Sequence, residues 1–203
     1  MLKWLFFDLG STLLDETPCS EVRIRHFLAQ SGAPDRETLL GIMRENAAKG
    51  LSPYMDTARQ LGLELAKWPR YMEIVYPGVI EMLEALRGRY HLGVIANQPM
   101  GTEERMVKYG IRPYFEMILS SAEEGMEKPE PAIFEKALRL AGCNPEEACM
   151  IGDRLDNDMA PAQRLGMRTI WVRQGFFAEM DPQAWNCRPD VAVDHIQDIR
   201  KHI

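Results

Sequence analysis

The sequence lacks a long apolar run, and its basic residues are outnumbered by its acidic ones. The first apolar run, residues 4–7, is ended by Asp8, and no stretch approaches the ~18 apolar residues of a membrane-spanning helix. Lysine and arginine number 24 against 30 aspartates and glutamates, for a net charge of −6. Nucleic acids and anionic membrane surfaces favour proteins with a basic face, so neither is expected as the main partner. We expect a cytoplasmic protein.

Cysteine is also scarce, and its spacing has no metal-binding pattern. The four cysteines form no CxxC pair and no cluster with histidine, which argues against a zinc site. They are Cys19, Cys143, Cys149 and Cys187. Reduced thiols in a cytoplasmic protein are the simplest interpretation.

What the sequence does contain is an alternation of short apolar runs and helical patterns. Apolar runs typical of buried parallel strands occur at 3–7, 92–96, 117–121, 149–152 and 169–172, with a weaker one at 191–193. Helical spacing of apolar residues follows at 78–90, 131–142 and 157–166. Strand and helix in alternation predict an α/β fold with a parallel sheet.

Residues 15–76 interrupt this alternation. They contain three successive helical patterns, at 20–32, 35–50 and 52–68, and no apparent strand. We therefore predict a small all-helical unit, 15–76, inserted after the first strand of a core made of 1–14 and 77–203.

Charged or polar residues follow several of the predicted strands. Asp8, Asn97 and Asp153 each come at or just after an apolar run, and Lys128 lies in the loop after another. Ligands of open α/β sheets bind beyond the carboxyl ends of the strands. Two carboxylates there would suit Mg²⁺, and a lysine beside them would balance a phosphoryl group. Asp8 would then be a nucleophile that attacks phosphorus.

The order and spacing of these segments resemble a known family. The segments are "WLFFDLGST" (4–12), "YPGV" (76–79), "KPEPAIF" (128–134) and "IGDRLDNDMAPAQRLGM" (151–167). Together they are similar to the haloacid dehalogenase-like hydrolase superfamily over essentially the whole chain. The resemblance implies a Rossmann-like core with helices on both faces, a cap inserted after the first strand, Mg²⁺ as cofactor, and hydrolysis of a small phosphorylated substrate.

The resemblance also implies roles for individual residues. Asp8 matches the nucleophile and a metal ligand, and Lys128 matches the lysine that balances the phosphate. The carbonyl of Gly10 and the carboxylate of Asp153 match the other metal ligands, and Asp158 matches an outer-shell acid. Asn97 and Ser11 are the candidates for binding the phosphate.

Two positions depart from the family pattern. Gly10 replaces the aspartate that usually acts as general acid and base, and Ala96 replaces the usual serine or threonine before Asn97. If the missing acid limits turnover, Gly10→Asp should raise phosphatase activity. The departures leave open a weak or inactive family member that acts as a binding or regulatory module. Dehalogenation on Asp8 is a third hypothesis, but dehalogenases of the family lack the acid pattern that "GDRLDND" (152–158) retains.

Overall fold

A six-stranded parallel sheet forms the centre of the molecule. The computed structural model describes residues 1–203. The strands are β1 (Trp4–Phe7), β4 (His91–Ala96), β5 (Met117–Ser120), β6 (Ala148–Gly152), β7 (Arg168–Val172) and β8 (Val191–Val193), in the order β5-β4-β1-β6-β7-β8. All five neighbouring pairs are parallel. The predicted α/β fold is confirmed, and each of the six predicted strands is present.

Helices cover both faces of this sheet. They are α4 (Val79–Arg87), α5 (Thr102–Lys108), α6 (Ser121–Glu124), α7 (Pro131–Ala141) and α8 (Ala160–Arg164). Successive β1 side chains point to opposite faces, as the pleat requires. Leu5 and Phe7 join the buried cluster that contains the apolar side of α4, whereas Trp4 and Phe6 join the cluster that contains α7. The sheet is therefore buried on both sides, as in a Rossmann-like fold.

Between the first strand and α4 the chain forms three more helices. They are α1 (Thr17–Leu28), α2 (Arg36–Ala48) and α3 (Met55–Leu61). Their buried apolar residues make a separate small cluster, composed of Ile24, Phe27, Leu39, Met43 and Ala58. The assignment of 15–76 as a cap over the core stays a prediction.

The expectation that 15–76 contains no strand was wrong. Strands β2 (Leu14–Asp15) and β3 (Ile74–Val75) form an antiparallel ribbon where the chain enters and leaves the helical segment. The two segments by which the chain enters and leaves lie side by side, so their backbone groups form hydrogen bonds with each other. Strands of two residues are too short to show a period in the sequence.

Helix boundaries also differ from the sequence prediction, and the first pattern, 20–32, corresponds to α1 at Thr17–Leu28. The third helical pattern was expected to reach residue 68, but α3 ends at Leu61 because Gly62 takes a left-handed conformation with φ 65°. The pattern at 157–166 begins earlier, as a wide turn over Leu155–Met159 that continues into α8. The short α5 was not predicted. No helix has the length and apolar content required to cross a membrane.

Candidate active site

All seven site residues predicted from the sequence line one cavity at the carboxyl edge of the sheet. Its volume is about 200 Å³. Strands β4, β1 and β6 are neighbours, so the residues that follow them meet at this edge. We call this space the nucleophile cavity. Its lining includes Asp8, Gly10, Ser11, Asn97, Lys128, Asp153 and Asp158, together with Glu16, Gln98, Arg154, Asn157 and Phe177.

Lys128 lies at the centre of the charged groups. Its ammonium donates to Asp8 Oδ1 at 2.6 Å and to Asp158 Oδ1 at 2.5 Å. Burial by itself would lower the pKa of Lys128, but the charges of Asp158 and Asp8 outweigh that effect and raise the pKa above its usual value. The lysine is therefore held as a cation against the predicted nucleophile.

The side chain of Asn97 holds the backbone of Lys128. Asn97 Nδ2 donates to the carbonyl oxygen of Lys128 at 2.7 Å, and Asn97 Oδ1 accepts from its N–H at 2.8 Å. The sequence pattern assigned Asn97 to phosphate binding. In the structure its paired contacts fix the loop that carries the lysine.

Asp158 is a buried carboxylate with its hydrogen bonds satisfied. Besides the lysine it accepts the N–H of Arg154, on Oδ2, at 3.0 Å. Burial raises the pKa of Asp158 to about 6, although the charge of Lys128 acts in the opposite direction. A side chain at Gly152 would overlap this carboxylate, which explains the glycine at that position.

Asp153 is buried, but the hydrogen-bonding capacity of its carboxylate is poorly satisfied. Its carboxylate accepts one hydrogen bond, from Thr12 Oγ1, at 3.4 Å. Its backbone carbonyl is held by the indole N–H of Trp171 at 2.9 Å, which fixes its position at the end of β6. Burial raises the pKa of Asp153 well above its usual value, and the charge of Asp8 adds to that increase.

Two of the three clustered aspartates, Asp8 and Asp153, fit a bound cation. Single oxygens of Asp8, Asp153 and Asp158 lie within 4.8 Å of one another. Lys128 is shared by Asp8 and Asp158, so the under-satisfied Asp153 carboxylate has no positive partner of its own within the group. A small hard cation between Asp153 and Asp8 would supply the missing charge.

Sequence reasoning missed Glu16, which follows β2. A β-carbon built on Gly10 would lie 2.9 Å from Glu16 Oε1 and 3.0 Å from Oε2. Ser11, whose φ is 54°, donates its hydroxyl to Glu16 Oε2 at 3.1 Å. Burial raises the pKa of Glu16 to about 7, and the charge of Glu73 contributes. In the sequence Glu16 resembles an ordinary acid at the start of a helix; the unexplained Gly10 was the only signal.

A second and larger cavity lies between the helical segment and the loop after β7. Its volume is about 350 Å³, and we call it the outer cavity. Ser11, Glu16 and Phe177 line both cavities, so they lie where the two spaces meet. The outer cavity is also lined by Thr17, Ser20, Ile24, Arg36, Leu40, Arg44, Tyr54, Tyr76 and Phe176, among others.

Comparison with known proteins gives a consistent family. Residues 5–172 match the model of a family described as haloacid dehalogenase-like hydrolase. A glyceraldehyde 3-phosphate phosphatase of Pyrococcus furiosus is 32% identical over 202 residues, which cover 89% of this chain and 84% of that protein. A phosphoserine phosphatase of Thermus thermophilus is 31% identical over 173 residues, covering 85% of this chain and 66% of that protein.

A solved structure with a different named chemistry shares the fold. A 2-haloacid dehalogenase from Pseudomonas syringae pv. Tomato aligns with a TM-score of 0.64 and 25% identity, covering 99% of this chain and 97% of that one. The fold therefore accommodates both phosphatases and dehalogenases. The choice between the two reactions therefore rests on the residues of the site and not on the fold.

Proposed function

The chain belongs to the haloacid dehalogenase-like hydrolase family, and we propose that it is a Mg²⁺-dependent phosphatase that forms an aspartyl phosphate on Asp8. The observation that carries this proposal is the contact between Lys128 and Asp8 beside the under-satisfied carboxylate of Asp153. The family resemblance implies that a dehalogenase would lack the acid that Asp153 supplies here. The relatives named above are phosphatases, which supports the same choice.

Asp8 would act as the nucleophile, with the ammonium of Lys128 in contact with its carboxylate. An oxygen of its carboxylate attacks the phosphorus, and the bond from phosphorus to the ester oxygen breaks. Water then attacks the phosphorus of the aspartyl phosphate, so that inorganic phosphate leaves and the carboxylate of Asp8 is restored. Lys128 balances the charge on the phosphoryl oxygens throughout.

Three groups of this chain would hold the magnesium ion: the carboxylates of Asp8 and Asp153 and the carbonyl of Gly10. Mg²⁺ bound there supplies positive charge for the phosphoryl oxygens. Asp158 would act on Lys128, because both of its carboxylate oxygens already accept hydrogen bonds.

The substrate we propose is a small phosphorylated metabolite. Its phosphoryl group would occupy the nucleophile cavity, and the rest of the molecule would extend into the outer cavity of about 350 Å³. Relatives named for glyceraldehyde 3-phosphate and phosphoserine make three-carbon phosphate esters the first compounds to test.

The decisive experiment is a phosphate-release screen with the purified full-length protein. The panel contains phosphorylated three-carbon compounds, sugar phosphates and nucleotides, each with and without Mg²⁺, and Asp8→Asn is the control. We expect Mg²⁺-dependent release by the parent and none by Asp8→Asn. If the parent binds Mg²⁺ and panel members without hydrolysing any of them, the phosphatase proposal is wrong. The departures at Gly10 and Ala96 would then be explained by a binding module.

A further inference from the structure

We propose that Glu16 is the catalytic acid and base of this reaction, in place of the aspartate that position 10 lacks. This inference rests on the proposed phosphatase function. It follows from where the Glu16 carboxylate lies, from what surrounds it, and from the absence of any other carboxylate in a comparable position.

The first observation is the space above Gly10. The Glu16 carboxylate lies 2.9–3.0 Å from the point where a β-carbon of residue 10 would be. Gly10 is not in the left-handed region that favours glycine, so the backbone conformation does not require a glycine there. The space that a side chain at position 10 would enter is filled by the carboxylate of Glu16, which comes from elsewhere in the chain.

The backbone around Glu16 is fixed, but its carboxylate is available. Asp15 pairs with Ile74 in the β2–β3 ribbon, and the carbonyl of Glu16 accepts the N–H and the hydroxyl of Ser20, both at 2.9 Å. Of the two carboxylate oxygens, Oε2 accepts the Ser11 hydroxyl at 3.1 Å. Oε1 has no hydrogen-bond partner within the protein, so it is free to exchange a proton with a bound molecule.

Glu16 is also the only carboxylate residue that lines both cavities. With a phosphoryl group at Asp8 and the remainder of the substrate in the outer cavity, the ester oxygen has to lie between the two spaces. Glu16 and Ser11 lie at this boundary between the two cavities. A proton donor at this boundary can reach the oxygen whose bond to phosphorus breaks.

Two other carboxylates, Glu73 and Asp156, are already engaged. Glu73 accepts from the indole of Trp68 at 2.8 Å and from the hydroxyl of Tyr109 at 3.0 Å. Asp156 is paired with Arg154 at 2.5 Å. None of the four histidines lines either cavity.

When Asp8 attacks, the bond from phosphorus to the ester oxygen breaks, and its electron pair stays on that oxygen, which takes the proton of the Glu16 carboxylic acid. The Glu16 carboxylate then removes a proton from the water that attacks the aspartyl phosphate. The bond between phosphorus and Asp8 breaks, its electrons return to the Asp8 carboxylate, and Glu16 is again protonated.

The test compares two leaving groups in the full-length enzyme with Mg²⁺. An alkyl phosphate needs a proton on its leaving oxygen, whereas p-nitrophenolate leaves without one. We expect Glu16→Gln to slow phosphorylation of Asp8 by the alkyl substrate by ~10²–10⁴-fold, measured by rapid quench. With p-nitrophenyl phosphate we expect a burst of about one nitrophenol per enzyme and then slow turnover, because hydrolysis of the phosphoenzyme lacks its base.

The controls separate a catalytic role from a structural one. Glu37→Gln changes an exposed carboxylate of α2 and should leave both rates at the parent's values. Gly10→Asp combined with Glu16→Ala moves a carboxylate to position 10 without crowding, and it should recover part of the rate that Glu16→Ala loses. If the role of Glu16 were purely structural, Glu16→Gln would slow the reactions of both substrates equally. Adding Gly10→Asp to Glu16→Ala would then recover none of the lost rate.

The outcomes distinguish this inference from the proposed function. If the parent hydrolyses phosphate esters and Glu16→Gln keeps the parent's rates with both substrates, Glu16 is not the acid and base, and the phosphatase proposal stands. If the parent hydrolyses nothing in the panel, both proposals are overturned. A Glu16→Gln variant that does not fold leaves the comparison of Glu16→Ala with and without Gly10→Asp to decide.

Discussion

The side chain of Asn97 clasps the backbone of Lys128 at both its N–H and its carbonyl, at 2.8 and 2.7 Å. Asn97 follows β4 and Lys128 lies in the loop beyond β5, so the contact joins two neighbouring strand ends. The lysine thereby reaches Asp8 from a fixed backbone position.

Asn97→Ala should therefore loosen the lysine without removing it. We expect kcat to fall by about 10–100-fold, because small errors in the position of a catalytic group are costly. Two lost hydrogen bonds to backbone groups should also lower the free energy of unfolding by roughly 1–3 kcal/mol. Single-turnover kinetics and urea denaturation measure these effects. Unchanged rates of Asp8 phosphorylation would show that the clasp has no part in placing Lys128.

Removing the lysine itself should be far more damaging. Lys128→Met leaves Asp8 and Asp158 buried without their shared cation, and the expected loss of stability is about 3–5 kcal/mol. Adding Asp158→Asn removes one of the stranded charges, so the double variant should be more stable than Lys128→Met alone. Urea denaturation at pH 7.5 measures both. A double variant no more stable than the single one would contradict the idea that Asp158 serves mainly the lysine.

The poor satisfaction of Asp153 predicts a stabilising effect of magnesium. At 100 times its Kd, Mg²⁺ should raise the free energy of unfolding by ~2.7 kcal/mol, and thermal melting with a Mg²⁺ titration measures it. Asp153→Asn should abolish this gain. The same substitution should stabilise the metal-free protein, since it removes a buried carboxylate whose only hydrogen bond is 3.4 Å long. An equal Mg²⁺ response in both proteins would place the ion elsewhere.

Prediction from the sequence succeeded for strands that are buried on both faces, because burial leaves an uninterrupted apolar run. Strands β1, β4 and β6 are buried on both faces, so each reads as an apolar run that ends near a polar residue. Because neighbouring parallel strands end at one edge, Asp8, Asn97 and Asp153 could be expected to converge there, and all three line the nucleophile cavity.

Prediction from the sequence failed where a contact depends on a short strand pairing between segments that are distant in the sequence. Glu16 reaches Gly10 because the ribbon of β2 and β3 turns the chain at that point, and two paired residues on each side leave no period in the sequence. The prediction that the third helix extends to residue 68 was wrong for a simpler reason. The apolar pattern continues beyond Gly62, but the left-handed glycine ends α3 there.

The structure also changes what is expected of Gly10→Asp. Restoring the usual aspartate was expected to raise activity, but its β-carbon would lie 2.9 Å from the Glu16 carboxylate. We now expect the single variant to be less stable than the parent and no more active, because two carboxylates crowd one space. Steady-state kinetics and thermal melting of Gly10→Asp, beside Gly10→Asp with Glu16→Ala, test this. A single variant faster than the parent would show that Glu16 moves aside readily.

The raised pKa of Glu16 predicts how the stability of the metal-free protein depends on pH. The carboxyl has a pKa of about 7 in the folded protein against an ordinary value of 4.5, mainly because of burial. Between those values the folded state binds more protons than the unfolded state, so stability falls as the pH rises through this window. Glu16→Gln removes this cost. We expect the variant to exceed the parent by roughly 1–3 kcal/mol at pH 8, and this advantage should nearly disappear at pH 4.5. Urea denaturation at both pH values measures it, with Glu37→Gln as the exposed control. If the difference between Glu16→Gln and the parent is the same at both pH values, the Glu16 carboxyl is ionised in the folded protein at no cost, and its burial does not raise its pKa.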